Sequence, residues 1–298
     1  MEMEEGRGKP LPVQTEQVRA FLDQRGPDGC TNRERIEQNQ RVIRRVSTTD
    51  KTKSYEDAGP GQGCHDGVVV QDGKLIGFGI HIFNEDIYPL QSFEIYLRNC
   101  GLVGDLDLSG CRDLLFVDVY HNEIASVDVR GDTSLQILGI QDNRISSLDV
   151  SNCHELVELY INDNGFSEID LSGCPKLKYF YCHNNRIMEL DTTGNPLLRH
   201  LNATGNPLKR IRSLAPQREE RLPLELTADG PGTVGMQFNP VYNAQWKETG
   251  EWRQTYYAYP QEGHGFLGWY DAAGTLLSQE AAWLDEYGAS RVLTARFS

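Results

Sequence analysis

Basic residues are scarce in this chain. Lysine and arginine number 29 against 43 aspartates and glutamates, a net charge of -14 over 298 residues. A binder of nucleic acid or of an anionic membrane needs a basic stripe, and this balance argues against both. Long apolar runs are missing too; none approaches the ~20 residues that cross a bilayer. The opening stretch, "MEMEEGRGKPLPVQ", is acidic and polar and makes no secretory leader. That leaves a cytoplasmic location open. The seven cysteines are odd in number and include no C-x-x-C pair, a poor match to a zinc site or a disulfide scaffold. No G-x-S-x-G, H-E-x-x-H, P-loop or dinucleotide fingerprint is present. The reading is therefore non-enzymatic, with no cofactor and no metal.

What the chain does have is a 21-residue repeat. With Leu106 as position one, that position reads Leu106, Val127, Leu148, Ile169, Leu190 and Ile211. Position nine is leucine in five copies, from Leu114 to Leu198. Positions twelve and fourteen are apolar pairs such as Leu138/Ile140 and Leu159/Ile161. Position seventeen is always asparagine: Asn122, Asn143, Asn164, Asn185 and Asn206. Alternation at twelve and fourteen turns both side chains the same way from one short strand. A repeat of this length cannot bury its apolar face alone, so copies must stack, with their strands in parallel. The asparagine is expected to satisfy loop backbone groups that would otherwise be buried unpaired.

This pattern resembles the leucine-rich repeat, L-x-x-L-x-L-x-x-N-x-L. "FEIYLRNCGLVGDL" fits as an irregular earlier copy, and "KLIGFGIHIFNEDI" offers a start for one more. Position two is always aspartate, from Asp107 to Asp191. Stacked like charges repel. Each aspartate is expected to accept the backbone N–H two residues on, with a carboxylate ladder for cations as the alternative. Cys111, Cys153 and Cys174 share position six, where Asp132 and Asn195 replace them. With Cys100 and Cys182 they read as small buried side chains. Cys30 and Cys64 lie outside the regular array and form the one candidate pair.

Two amphipathic stretches precede the array, "TEQVRAFLDQRG" and "TNRERIEQNQRVIRRV", the second opened by a Thr31/Glu34 capping box. They read as a helical cap over the solenoid's open end. "GVVVQDGKLIGF" reads as a hairpin around Asp72-Gly73. From Leu222 the leucine period stops, and alternating strands with Gly/Pro turns predict a small, mainly β domain that folds alone. Its "GHGFLGWYDAAGTLL" and closing "LTARF" resemble the repeat module of internalins, which implies a β-grasp-like fold. The predicted class is α+β: a helical cap and linker over 1–63, a repeat solenoid with a parallel concave sheet over 64–214, and a β module over 222–298. Both resemblances together are those of an internalin-like bacterial protein. They imply partner binding and a secreted or cell-surface location.

The variable positions carry the functional expectation. Positions eleven, thirteen and fifteen project from the concave sheet. They place Phe116, Asp118, Tyr120, Glu158, Tyr160, Tyr179, Tyr181, His183, His200 and Asn202 on one face. Aromatic side chains offer large contact area with a polar handle and are enriched at interfaces. Strand propensity also favours tyrosine. The face is expected to bind a protein, with adhesion or cell-surface recognition as the role. The alternative is carbohydrate or cell wall stacked on the tyrosines.

Overall fold

The computed structural model describes residues 20–35, 68–71, 74–78, 99–112, 114–214, 223–243, 247–285 and 291–298. Its strands in chain order begin with β1 (Val68–Gln71), β2 (Lys74–Phe78), β3 (Val103–Asp107), β4 (Phe116–Asp118), β5 (Glu123–Asp128) and β6 (Ile137–Gly139). There follow β7 (Glu158–Tyr160), β8 (Tyr179–Tyr181), β9 (Glu189–Asp191), β10 (His200–Asn202), β11 (Arg210–Leu214) and β12 (Pro223–Asp229). The last are β13 (Gly232–Tyr242), β14 (Glu248–Pro260), β15 (Phe266–Tyr270), β16 (Leu276–Ser278), β17 (Ala282–Asp285) and β18 (Arg291–Phe297).

The repeat period becomes the sheet register. β4, β6, β7, β8 and β10 are in parallel, and Phe116 pairs with Ile137, Ile137 with Glu158, Glu158 with Tyr179 and Tyr179 with His200. Each partner lies 21 residues along, one copy of the sequence. The protein is a repeat solenoid of stacked coils. Position twelve (Val117, Leu138, Leu159, Phe180) and position fourteen (Val119, Ile140, Ile161, Cys182, Ala203) are wholly buried. Each large aliphatic side chain there contributes ~1.5–3 kcal/mol by burial.

Position seventeen ties neighbouring copies together. Asn185 Oδ1 accepts the Phe166 N–H at 3.0 Å, and its Nδ2 donates to the Ile161 and Cys182 carbonyls at 2.9 and 3.1 Å. Asn143, Asn164 and Asn206 repeat this arrangement on their own neighbours. One feature of the turn is invisible in the leucine period. Position sixteen is left-handed in every copy, at His121, Asp142, Asp163, Asn184 and Gly205, with φ between 52° and 66°. Asparagine, aspartate and glycine tolerate that region better than most residues.

The position-two aspartates close a local turn, as expected. Asp107, Asp128, Asp149, Asp170 and Asp191 each accept the N–H two residues on, at 2.9–3.0 Å. The Ser151 hydroxyl, then its N–H, hold the Asp149 carboxyl below the usual carboxylate range, and the Ser172 N–H, then its hydroxyl, do the same for Asp170. Arg130 and Arg212 pair with Asp128 and Asp191 and offset the repulsion between rungs.

β1 and β2 pair antiparallel, with Gln71 opposite Lys74, and β2 lies parallel to β4; residues 72 and 73, the expected turn, lie outside the described residues. Helix among the described residues is confined to 20–22 and 32–35. Residues 23–26, expected to continue the first helix, instead turn back, with Arg25 bridged to Thr31. Residues 15–19 and 36–46 of the two expected helices, and the strand positions of the irregular copy at Ile95 and Leu97, fall outside the described residues. What is described at this end binds the first coil. Asn32 is fully buried; its side chain accepts from the Val103 N–H and donates to the Val103 carbonyl, both at 2.9 Å. Phe21 enters the core. Cys30 is free, so the Cys30–Cys64 pair does not form. Cys100 is instead disulfide-bonded, to a partner outside the described residues. It is buried as expected, but it is not a plain thiol.

At the C-terminal end both sheets run past the last repeat. β13 pairs antiparallel with β10 and continues through β14 to β17. On the other layer β12 pairs antiparallel with β11, followed by β18, β15 and β16. A single buried cluster extends from Phe21 to Phe297 and takes in Tyr256 and Trp269. The stop in the leucine period at residue 222 thus marks the point where each sheet takes on an antiparallel neighbour and continues, with the β12–β18 pair parallel beyond it.

Candidate functional site

Strands only three residues long present two rows of side chains from the concave sheet. Position eleven gives Phe116, Ile137, Glu158, Tyr179 and His200; position thirteen gives Asp118, Gly139, Tyr160, Tyr181 and Asn202. The register brings the tyrosines together. Tyr160 and Tyr181 stack with ring centroids 5.3 Å apart and planes 17° from parallel. Tyr179 stacks on His200 at 4.5 Å and 20°. Centroid distances of this order are those of favourable aromatic pairs.

The ten predicted residues differ in access. Phe116, Tyr120, Tyr160, Tyr179, Tyr181, His183 and Asn202 are half-buried. Asp118, Glu158 and His200 are only 3%, 4% and 7% exposed. They face the concave side without standing free of it. Glu158 lies beside the tyrosines, and its Oε2 accepts the Tyr160 hydroxyl at 2.8 Å. Burial raises the Glu158 pKa, with the Tyr160 bond opposing. Burial likewise raises the Tyr160, Tyr179 and Tyr181 pKa values, so these rings remain neutral phenols. Asp118 occupies room left by a glycine: a Cβ on Gly139 would stand 3.0 Å from Asp118 Oδ1.

His200 is covered by a residue that the repeat pattern could not supply. Tyr242, at the end of β13, lies over its ring at 6.3 Å between centroids, with the hydroxyl 3.2 Å from Nε2. Burial, aided by Arg199, pushes the His200 pKa down to about 4. Arg199 is itself held by Glu248 and lies against Trp252. Tyr179, His200 and Tyr242 therefore form one continuous stack from the repeats into the C-terminal module. No sequence signal marked Tyr242, Glu248 or Trp252, because they lie past the end of the period.

At the rim, His183 Nε2 lies 3.7 Å from Asp163, and His121 pairs with Asp142. Burial lowers the His183 pKa despite Asp163. Among the described residues, no three His, Cys, Asp or Glu side chains converge as metal ligands. No helix among them is long and apolar enough to cross a membrane.

No family model matches the sequence, and no curated protein matches it. Among solved structures, the functional domain of InlJ from Listeria monocytogenes, described as including a cysteine ladder, is similar with a TM-score of 0.34 and 17% identity. The match covers 65% of this chain and 48% of that one, so this chain spans about half of that domain's length.

Proposed function

We propose that this protein is a non-enzymatic binding module that holds a protein partner on its concave face. The observation that carries the reading is the packing of the tyrosines. Tyr160 and Tyr181 each turn one flat face onto the other, as do Tyr179 and His200, so half of the flat ring surface is taken up within the protein. A sugar ring needs an open aromatic face, whereas a protein partner can use ring edges, hydroxyls and the half-buried polar groups around them. Carbohydrate is accordingly the second reading, favoured only by the aromatic content itself.

The finer parts of the reading belong here too. The stretch before the array serves as a helical N-terminal cap, seated on the first coil through Phe21 and Asn32. The C-terminal strands act as a divergent, β-grasp-like internalin-type module that extends the binding sheet. The setting is a bacterial cell surface or secretion, with adhesion or recognition as the role. The test uses immobilised wild type and a Tyr160→Ala/Tyr181→Ala variant, each offered a cell-surface protein extract and a glycan array. A protein retained by the wild type and lost by the variant supports the reading. Glycan capture with no retained protein replaces it with the second.

A further inference from the structure

Position six forms a buried column with a consistent chemistry. Cys153 Sγ faces the Val129 carbonyl at 4.0 Å, Cys174 Sγ faces the Val150 carbonyl at 3.6 Å, and Asn195 Nδ2 donates to the Leu171 carbonyl at 3.0 Å. In each case the acceptor lies 24 residues back, at position three of the preceding copy. Every one of these rungs thus offers a donor to that carbonyl. Asp132 occupies the rung between Cys111 and Cys153, and its counterpart acceptor is Leu108. A carboxylate has no donor; a carboxylic acid has one. Asp132 is fully buried, and neither oxygen makes a hydrogen bond of good geometry; the Cys111 N–H, which donates to the Leu108 carbonyl, is a neighbouring donor that pulls on the carboxyl. The Leu108 carbonyl takes the Cys111 N–H at 3.1 Å and keeps a second lone pair, as the Val150 carbonyl does when it receives both the Cys153 N–H and the Cys174 thiol.

We propose that Asp132 is held in the fold as a neutral carboxylic acid donating to the Leu108 carbonyl, and that its ionisation is a pH-sensitive device that loosens the array at its second copy. Among the described residues, the groups packed around it offer no compensating cation. Cys111 and Cys153 flank it on the column, and burial pushes both thiols up to about 12, so they are neutral. Asp107 and Asp128 are the nearby carboxylates, and the guanidinium in reach, Arg130, is turned onto Asp128. Burial first, then the charges of Asp128 and Asp107, raise the Asp132 pKa to about 7, against the opposing pull of the Cys111 backbone N–H.

The direction of the effect follows from linkage. An unfolded aspartate loses its proton near pH ~3.9, so between that value and about 7 the folded state holds a proton that the unfolded chain has released. Stability from this residue is then greatest in acid, falls as pH rises through that window, and levels off above it.

The experiment compares wild type with Asp132→Asn and Asp132→Cys, the two residue types that already serve as donors on this column. Urea unfolding is measured at a series of pH values from about 4 to about 8. We expect the variant-to-wild-type ratio of folding equilibrium constants to rise at least ~10-fold between about pH 5 and about pH 7, for both variants. Parallel pH profiles for all three proteins would overturn the proposal. An infrared carbonyl band of a dry, protonated carboxyl is expected in the wild type at about pH 6 and absent in either variant; its absence in the wild type would also overturn it.

Discussion

Asn185→Ala is the most direct test of how the coils are held together. The side chain is 7% exposed and ties two copies. Its removal strips the Phe166 N–H of its acceptor and the Ile161 and Cys182 carbonyls of a donor. An unpaired buried donor costs ~1–3 kcal/mol, and each net hydrogen bond lost adds ~1 kcal/mol. The carbonyls tolerate partial loss better than the N–H does. We therefore expect ~2–4 kcal/mol of destabilisation for Asn185→Ala, with less for Asn164→Ala, whose side chain is only half-buried. Asn152→Ala is the control; that residue is exposed and bonds only the adjacent Ser151 hydroxyl, so a change within ~0.5 kcal/mol is expected. Urea melts read the difference as a fall in midpoint at unchanged slope. Hydrogen exchange gives the local reading, with the Phe166 amide losing protection first. A midpoint for Asn185→Ala equal to that of Asn152→Ala would refute the account of position seventeen as an inter-coil tie.

Other consequences are equally open to measurement. Tyr160→Ala with Tyr181→Ala should weaken partner binding by at least ~2 kcal/mol while leaving the fold intact by circular dichroism; unchanged affinity would move attention to the C-terminal strands. Tyr242→Phe should raise the His200 pKa little and keep the stack, whereas Tyr242→Ala should uncover the His200 ring and raise its pKa from about 4, read by imidazole NMR titration. Of the five free cysteines among the described residues, Cys30 alone should react quickly with a thiol reagent near pH ~8. Burial holds Cys111, Cys153 and Cys174 up to about 12, and rapid modification of any of them in the folded protein would contradict their place in the core. The fragment 219–298 lacks β10 and β11, the partners of β13 and β12, and should unfold at lower denaturant than the intact chain. Equal midpoints would show that the shared sheets contribute nothing to it.

The sequence by itself determined the solenoid. A period of 21 with apolar residues at fixed positions leaves one economical way to bury them, and the inward side chains at positions nine, twelve, fourteen and nineteen from Leu114 to Leu208 are in the core, with Leu148 and Ile169 at position one packed partly buried against it. The asparagine and aspartate roles were legible for the same reason: their partners lie within one turn or one copy, at a distance the period sets. The concave rows were legible as a list of positions, because side chains alternate along a strand. Their accessibility was not. That Asp118, Glu158 and His200 are nearly closed off depends on a glycine at 139, a hydroxyl at 160 and a tyrosine at 242. Only the last of these lies outside the period, yet no pattern within it weighs one neighbour's bulk against another's. The disulfide at Cys100 and the continuation of both sheets through β12 and β13 were likewise decided by tertiary structure. Each joins residues whose separation along the chain obeys no repeat, so only the packed coils bring them within bonding distance.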